Sequence, residues 1–176
     1  YISVRDAWTR DMMHAAQPNV EIEVTPDPVF ALNYNLGDLI PSEDNIRKKF
    51  DLPENYVLIG LRSQVFTYEE LEKMNELLKK EGKECIAFNI DGVYAYKHPF
   101  KYEIKLPLNP LDWFGLIKYA SAYIGSNMHP IVSSLANGVP CFSIDNWGIV
   151  DFWGKKKTSK SSKVYDVLSK YGLTDY

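Results

Sequence analysis

The chain has 176 residues, 45% of them hydrophobic and 24% charged, with a formal net charge of −3. That composition suits one globular domain with a sizeable core and speaks against nucleic acid as a partner. No apolar run approaches the roughly 18 residues that a membrane span needs, and no signal peptide opens the chain.

Apolar runs of strand length alternate with helical periodicity, the pattern of a mainly parallel α/β sheet covered on both faces. Tyr1 to Arg5 reads as a strand and Asp6 to Ala16 as a helix capped by Asp6. Val20 to Val24 is a second strand running into the turn Thr25-Pro-Asp-Pro28, and Asn33 to Leu39 reads as loop. Ser42 caps a short helix through Phe50, and Tyr56 to Leu61 is a continuous apolar run of the buried-strand kind. Thr67 and Glu70 form a capping box for a helix ending near Gly82, whose Leu71, Met74, Leu77 and Leu78 make a core-facing stripe. Cys85 to Ile90 is the next strand, and Asp91-Gly92 with the residues after it reads either as a hairpin or as a loop. Asn109 and Pro110 start a helix carrying Trp113, Phe114, Leu116, Ile117 and Ala120 into the core. A last helix runs from about Lys160 to Tyr171. The expected architecture is a single α/β domain over 1–176, with a doubly wound, mainly parallel, Rossmann-like sheet.

Cys85 and Cys141 both lie in apolar, strand-like runs without CxxC spacing, which predicts two reduced core thiols and a cytoplasmic protein. The chain opens at Tyr1 directly on a strand, without an initiator Met, which predicts a segment of a longer protein.

The segment Ala122 to Asp145 carries the most chemistry. Ala122 to Gly125 is a short apolar strand, Pro130 suits the first position of a helix, Gly138 closes that helix, and Val139 to Ile144 is the next buried strand. His129 therefore falls at or beside a helix N-cap, at the end of a parallel strand. Ligands of open α/β sheets bind beyond the carboxyl ends of the strands, where a helix N-terminus offers unbonded N–H groups and partial positive charge to an anion. Ser126, Asn127 and His129 cluster between two apolar elements rather than on an apolar face, which favours a functional histidine over a structural cap. Met128 and Pro130 complete the candidate contact set of the turn. Arg5 and Arg62 each close a strand, where a guanidinium can clamp a carboxylate or phosphate; the alternative for each is a salt bridge or a solvated strand end. Asp27, between two prolines, reads as a turn residue bonding backbone N–H groups. The lysines Lys155 to Lys163 read as a solvated basic loop, and Trp147 and Trp153 as covers of a sheet end. There is no GxGxxG, Walker loop, HExxH or GxSxG element, so dinucleotide, P-loop, zincin and serine-hydrolase chemistry lack their markers.

Four stretches occur in the order found in one family: Ile2-Ser-Val-Arg-Asp6, Thr25-Pro-Asp-Pro-Val-Phe-Ala-Leu32, Leu106-Pro-Leu-Asn-Pro-Leu-Asp-Trp-Phe114, and Tyr123-Ile-Gly-Ser-Asn-Met-His-Pro-Ile-Val-Ser-Ser-Leu-Ala-Asn-Gly-Val-Pro140. Over essentially its whole length the chain resembles the polysaccharide pyruvyl transferases. The resemblance implies a GT-B-like enzyme of two Rossmann-like domains, this chain being the C-terminal one beside an N-terminal domain of the same protein. It implies transfer of the pyruvyl group of phosphoenolpyruvate onto two hydroxyls of a sugar of a surface polysaccharide or its precursor, lipid-linked precursors included, at the inner face of the membrane. By the same resemblance His129 matches the family's essential histidine, and Arg5 an arginine important for activity. The chain departs from the family at Asn127 and Pro130. The usual element reads RLHG, with an arginine two residues before the histidine and a glycine after it, and the departure removes a fixed positive charge that would hold the donor's carboxylate or phosphate.

Ketal formation from an enol phosphate needs a proton delivered to the methylene carbon, stabilisation of an oxocarbenium ion and of the departing phosphate, and deprotonation of two hydroxyls. Histidine as a residue type suits the proton transfers, and a helix N-terminus with an arginine suits the anions. No metal or cofactor is called for. Two other readings compete: a GT-B glycosyltransferase using a nucleotide sugar, and a non-catalytic glycan-binding relative that lost its donor clamp at Asn127.

Overall fold

The structure, a computed structural model, describes residues 1–60, 66–88, 97–144, 149–150, 156–157 and 163–174. The chain forms two compact units, Tyr1–Gly37 and Asp38–Tyr176. In the first unit β1 (Ile2–Val4) and β2 (Ile22–Val24) pair in parallel and are joined by α1 (Ala7–Ala16). Asp6 caps α1 as expected, accepting the Thr9 N–H at 2.7 Å. Residues 33–39, expected as loop, lie instead in α2 (Leu32–Leu36) and a 3-10 turn (Gly37–Leu39). Asp27 and Pro28 initiate a 3-10 turn (Pro28–Ala31), and once that nucleus exists, adding helical residues costs less than starting a helix, so the asparagines follow.

The second unit runs α3 (Glu43–Phe50), β3 (Tyr56–Gly60), α4 (Tyr68–Lys80), β4 (Glu84–Phe88), β5 (Tyr102–Ile104), α5 (Pro110–Lys118), β6 (Ala122–Gly125), α6 (Met128–Ala136), β7 (Cys141–Ser143), the antiparallel pair β8 (Ile149–Val150) and β9 (Lys156–Lys157), and α7 (Lys163–Lys170). Ser42, Thr67 with Glu70, and Asn109 cap α3, α4 and α5 as their spacing predicts. Strand β5 was not expected, because three residues are too few for a period to show. The Asp91-Gly92 hairpin or loop lies outside the described residues.

β3 to β7 form one five-stranded sheet in the order β5-β4-β3-β6-β7, every neighbouring pair parallel. The chain builds outward through β3, β4 and β5, then crosses back to place β6 and β7 on the other side of β3. Helices cover both faces. On one, Leu71 of α4 packs with Val57, Ile59, Cys85 and Ala87. On the other, Leu116, Ile117 and Ile131 of α5 and α6 pack with Tyr56, Leu58, Ile86, Phe88 and Tyr123. This is the doubly wound α/β arrangement, and its topological switch point lies between β3 and β6. Within α4, Leu77 leaves the expected stripe and is 54% exposed, while Asn75 is buried. Leu71, Met74, Asn75 and Leu78 follow the i, i+3, i+4, i+7 spacing, and Leu77, at i+6, points more than a quarter turn away.

Both cysteines are free thiols, Cys85 buried and Cys141 partly so. Burial pushes the Cys85 thiol up to about 12, so it stays protonated and inert at neutral pH. His98 lies just before β5; its Nδ1 accepts the Phe100 N–H at 3.2 Å and its ring stacks on Phe100. Burial holds this imidazole below its ordinary range, with Glu103 opposing the shift. Above about pH 6.5, the unfolded value, both states are neutral and the interaction is fully present; as pH falls through that value the unfolded chain binds the proton first and stability is lost. The melting temperature of the wild type is expected to fall between pH 7.5 and 5.5 more steeply than that of His98→Phe. Equal slopes would show that His98 binds protons alike in both states.

Candidate functional site

All five strands of the large sheet point the same way, so Gly60, Gly125 and Ser143 lie side by side at its carboxyl edge, with Gly60 opposite Gly125 and Gly125 opposite Ser143. The chain leaves Gly125 through Ser126 into α6, which brings the Ser126 to His129 turn to the switch point, where open α/β sheets place their ligands. Ser126 is buried, Asn127 takes the N-cap with extended backbone (φ −91°, ψ 132°), and His129 is solvent-exposed.

The helix starts earlier than its proline suggests. Met128 is the first helical residue, His129 the second and Pro130 the third, so Pro130 is not at the first position and His129 lies inside the helix rather than at its cap. The whole first turn lacks intrahelical acceptors for its N–H groups, so the proline is as harmless at the third position as at the first. The Asn127 side chain makes no capping bond, which leaves the N–H groups of Met128 and His129 as first-turn donors; Pro130 contributes none. The hydroxyls of Ser126 and Ser143 are both buried with no hydrogen-bond partner among the described residues. A buried hydroxyl without a partner costs about 1 to 3 kcal/mol, and two at the same strand ends give the edge polar capacity that the fold itself does not use. Unbonded N–H groups, the partial positive charge of a nine-residue helix and two hydroxyls together suit an anion, with an exposed imidazole one residue further along.

Arg5 follows β1, which belongs to the two-stranded sheet of the first unit and not, as the single expected sheet implied, to the five-stranded sheet. Its Nη1 is 3.2 Å from Oδ2 of Asp27, the salt bridge forming with that residue rather than with Asp6, which is occupied as the cap of α1. Asp27 also accepts the Val29 N–H at 3.1 Å, so the turn residue doubles as the partner of Arg5. The parallel register of Val4 with Val24 brings the two together, and only that pairing reveals it. Arg62, Lys155, Lys160, Trp147 and Trp153 lie outside the described residues.

Sequence reasoning missed Tyr123, Gly60 and Gly125. A Cβ built on Gly60 would lie 2.2 Å from the Tyr123 phenol oxygen, and one on Gly125 2.3 Å from it, so both glycines are required by the ring. The signal was present: two apolar strands, Tyr56–Gly60 and Ala122–Gly125, both end in Ile-Gly. An apolar groove of about 410 Å³, lined by Leu135, Val139, Pro140, Phe142, Leu168 and Leu173, lies toward the amino end of β7, with no charged side chain among the described residues that line it.

A doubly wound parallel sheet with a polar turn and helix N-terminus at its switch point defines an α/β domain of the Rossmann type. A model of the polysaccharide pyruvyl transferase family matches residues 1–148, and the chain belongs to that family. The match takes in the whole first unit and the second as far as residue 148. A search of curated proteins finds no match. Among the described residues no helix is long and apolar enough to cross a membrane.

Proposed function

We propose that this chain is the C-terminal domain of a two-domain, GT-B-like cytoplasmic enzyme that transfers the pyruvyl group of phosphoenolpyruvate to a saccharide. His129 is the acid and base. In the reaction a proton adds to the methylene carbon, giving an oxocarbenium ion at the adjacent carbon. One sugar hydroxyl attacks that carbon and loses its proton; phosphate then departs with the C–O electron pair. A second hydroxyl adds and loses its proton, so that one phosphoenolpyruvate and one diol yield a cyclic ketal and inorganic phosphate. The N–H groups of Met128 and His129 with the Ser126 hydroxyl face the donor's anionic groups, and Arg62 is a candidate for further charge.

The observation that carries this reading is the exposed His129 on the first turn of α6 at the switch point, in a chain of this family. Isothermal titration of the full-length protein with phosphoenolpyruvate and with nucleotide sugars tests it. Binding of a nucleotide sugar alone makes the protein a glycosyltransferase, and binding of neither makes it a glycan-binding relative. A sharper version uses Asn127, the N-cap where the family carries arginine. Asn127→Arg is expected to tighten phosphoenolpyruvate binding by about 1.5 to 3 kcal/mol, the worth of a charge-assisted hydrogen bond. Pairing it with Arg62→Ala in a double-mutant cycle shows whether Arg62 already supplies that charge. If neither the wild type nor Asn127→Arg binds phosphoenolpyruvate at millimolar concentration, pyruvyl transfer is ruled out.

A further inference from the structure

Two tyrosines are fully buried in the sheet, and they differ in one respect. The Tyr56 hydroxyl donates to the Leu116 carbonyl oxygen at 2.8 Å. The Tyr123 hydroxyl has no well-formed hydrogen bond among the described residues; the Asn127 backbone N–H acts on it without reaching good geometry. Packing alone does not account for this group. A phenylalanine would fill the same core volume without burying a hydroxyl, and the hydroxyl moreover requires that two neighbouring residues have no side chain at all.

The location of the hydroxyl supplies the missing reason. Tyr123 lies two residues before Gly125 and on the same face of β6, and Gly125 is in register with Gly60 of β3. The ring therefore leans along the sheet toward its carboxyl edge, and its oxygen occupies the space of two absent Cβ atoms at the switch point. The group above it is the backbone of Asn127, the N-cap of α6, two residues before His129.

We infer that Tyr123 is a positioning residue: wedged over Gly60 and Gly125, its phenol supports the N-cap of α6 from beneath and sets where His129 and the first-turn N–H groups stand. The catalytic consequence rests on the pyruvyl transfer reading, whereas the structural one does not.

Tyr123→Phe in the full-length protein tests the inference, since it removes the oxygen and keeps the ring. Because the lost hydroxyl is poorly partnered, the melting temperature is expected to hold or rise. Deuterium exchange in the peptide spanning Gly125 to Val132 is expected to quicken roughly tenfold, with exchange elsewhere unchanged. The kcat for phosphoenolpyruvate is expected to drop by a similar factor while KM stays within about twofold, as for a group that orients the catalytic residue rather than binding substrate. Unchanged exchange in that peptide overturns the inference, whatever happens to the rate. Exchange that rises throughout the protein with a lowered melting temperature also overturns it, because the hydroxyl is then merely structural. If the wild type does not turn over phosphoenolpyruvate, the pyruvyl reading fails, and the exchange measurement alone decides the role of Tyr123.

Discussion

Replacing His129 with alanine is expected to lower turnover of the full-length enzyme by roughly 100-fold or more, the usual contribution of a positioned acid or base. The fold should hardly register the change. The imidazole is exposed, it packs into neither core cluster, and alanine is a better helix former at the second position of α6. A stability change within about 0.5 kcal/mol is therefore expected, as for surface substitutions generally. Phosphate release under saturating donor, set beside calorimetry of the same sample, separates the two quantities. A large fall in melting temperature with activity per folded molecule intact would make His129 a structural residue and remove the acid and base from the proposed reaction.

Gly125→Ala is expected to have the largest effect on stability. The new Cβ would lie 2.3 Å from the Tyr123 oxygen, 2.8 Å from the adjoining ring carbon and 3.1 Å from the Gly60 Cα. The first two neighbours belong to a ring with no exposed surface and the third to the backbone of the central strand, so nothing nearby can yield cheaply. Overpacking of a tight core typically costs about 1 to 3 kcal/mol, and this substitution belongs at or above the top of that range. For a chain of this size that is a drop of roughly 2 to 4 °C in melting temperature per kcal/mol. Urea denaturation of Gly125→Ala measures the cost, and Tyr123→Leu with Gly125→Ala should recover part of it, because the shorter side chain vacates the position. A single variant as stable as the wild type would mean that the ring has another place to go.

Much of the local structure was legible because its causes are local. A cap needs only a side chain and the N–H two or three residues on, so Asp6, Ser42, Thr67 with Glu70, and Asn109 declared their helices directly. The run from Ala122 through α6 to Gly138 was equally readable, since a short apolar strand, a proline and a closing glycine with φ +66° all act within one segment. The start of α6 was misplaced because any position of the first turn tolerates proline, so Pro130 marked the turn and not the residue.

By itself, then, the sequence determined the alternation of elements, the family, and the turn that presents His129, all of which rest on near neighbours or on motifs in order. Only the tertiary structure decided which strands meet. The crossing from β5 back to β6 puts Gly125 against Gly60, 65 residues apart, and sets the switch point beneath the His129 turn. The pairing of β1 with β2 likewise brought Arg5 to Asp27, 22 residues further along the chain. Strand order and register are settled by which buried faces pack together, a long-range competition that leaves no period or spacing in any one segment, and so it was there that the sequence reading missed Tyr123 and misplaced Arg5.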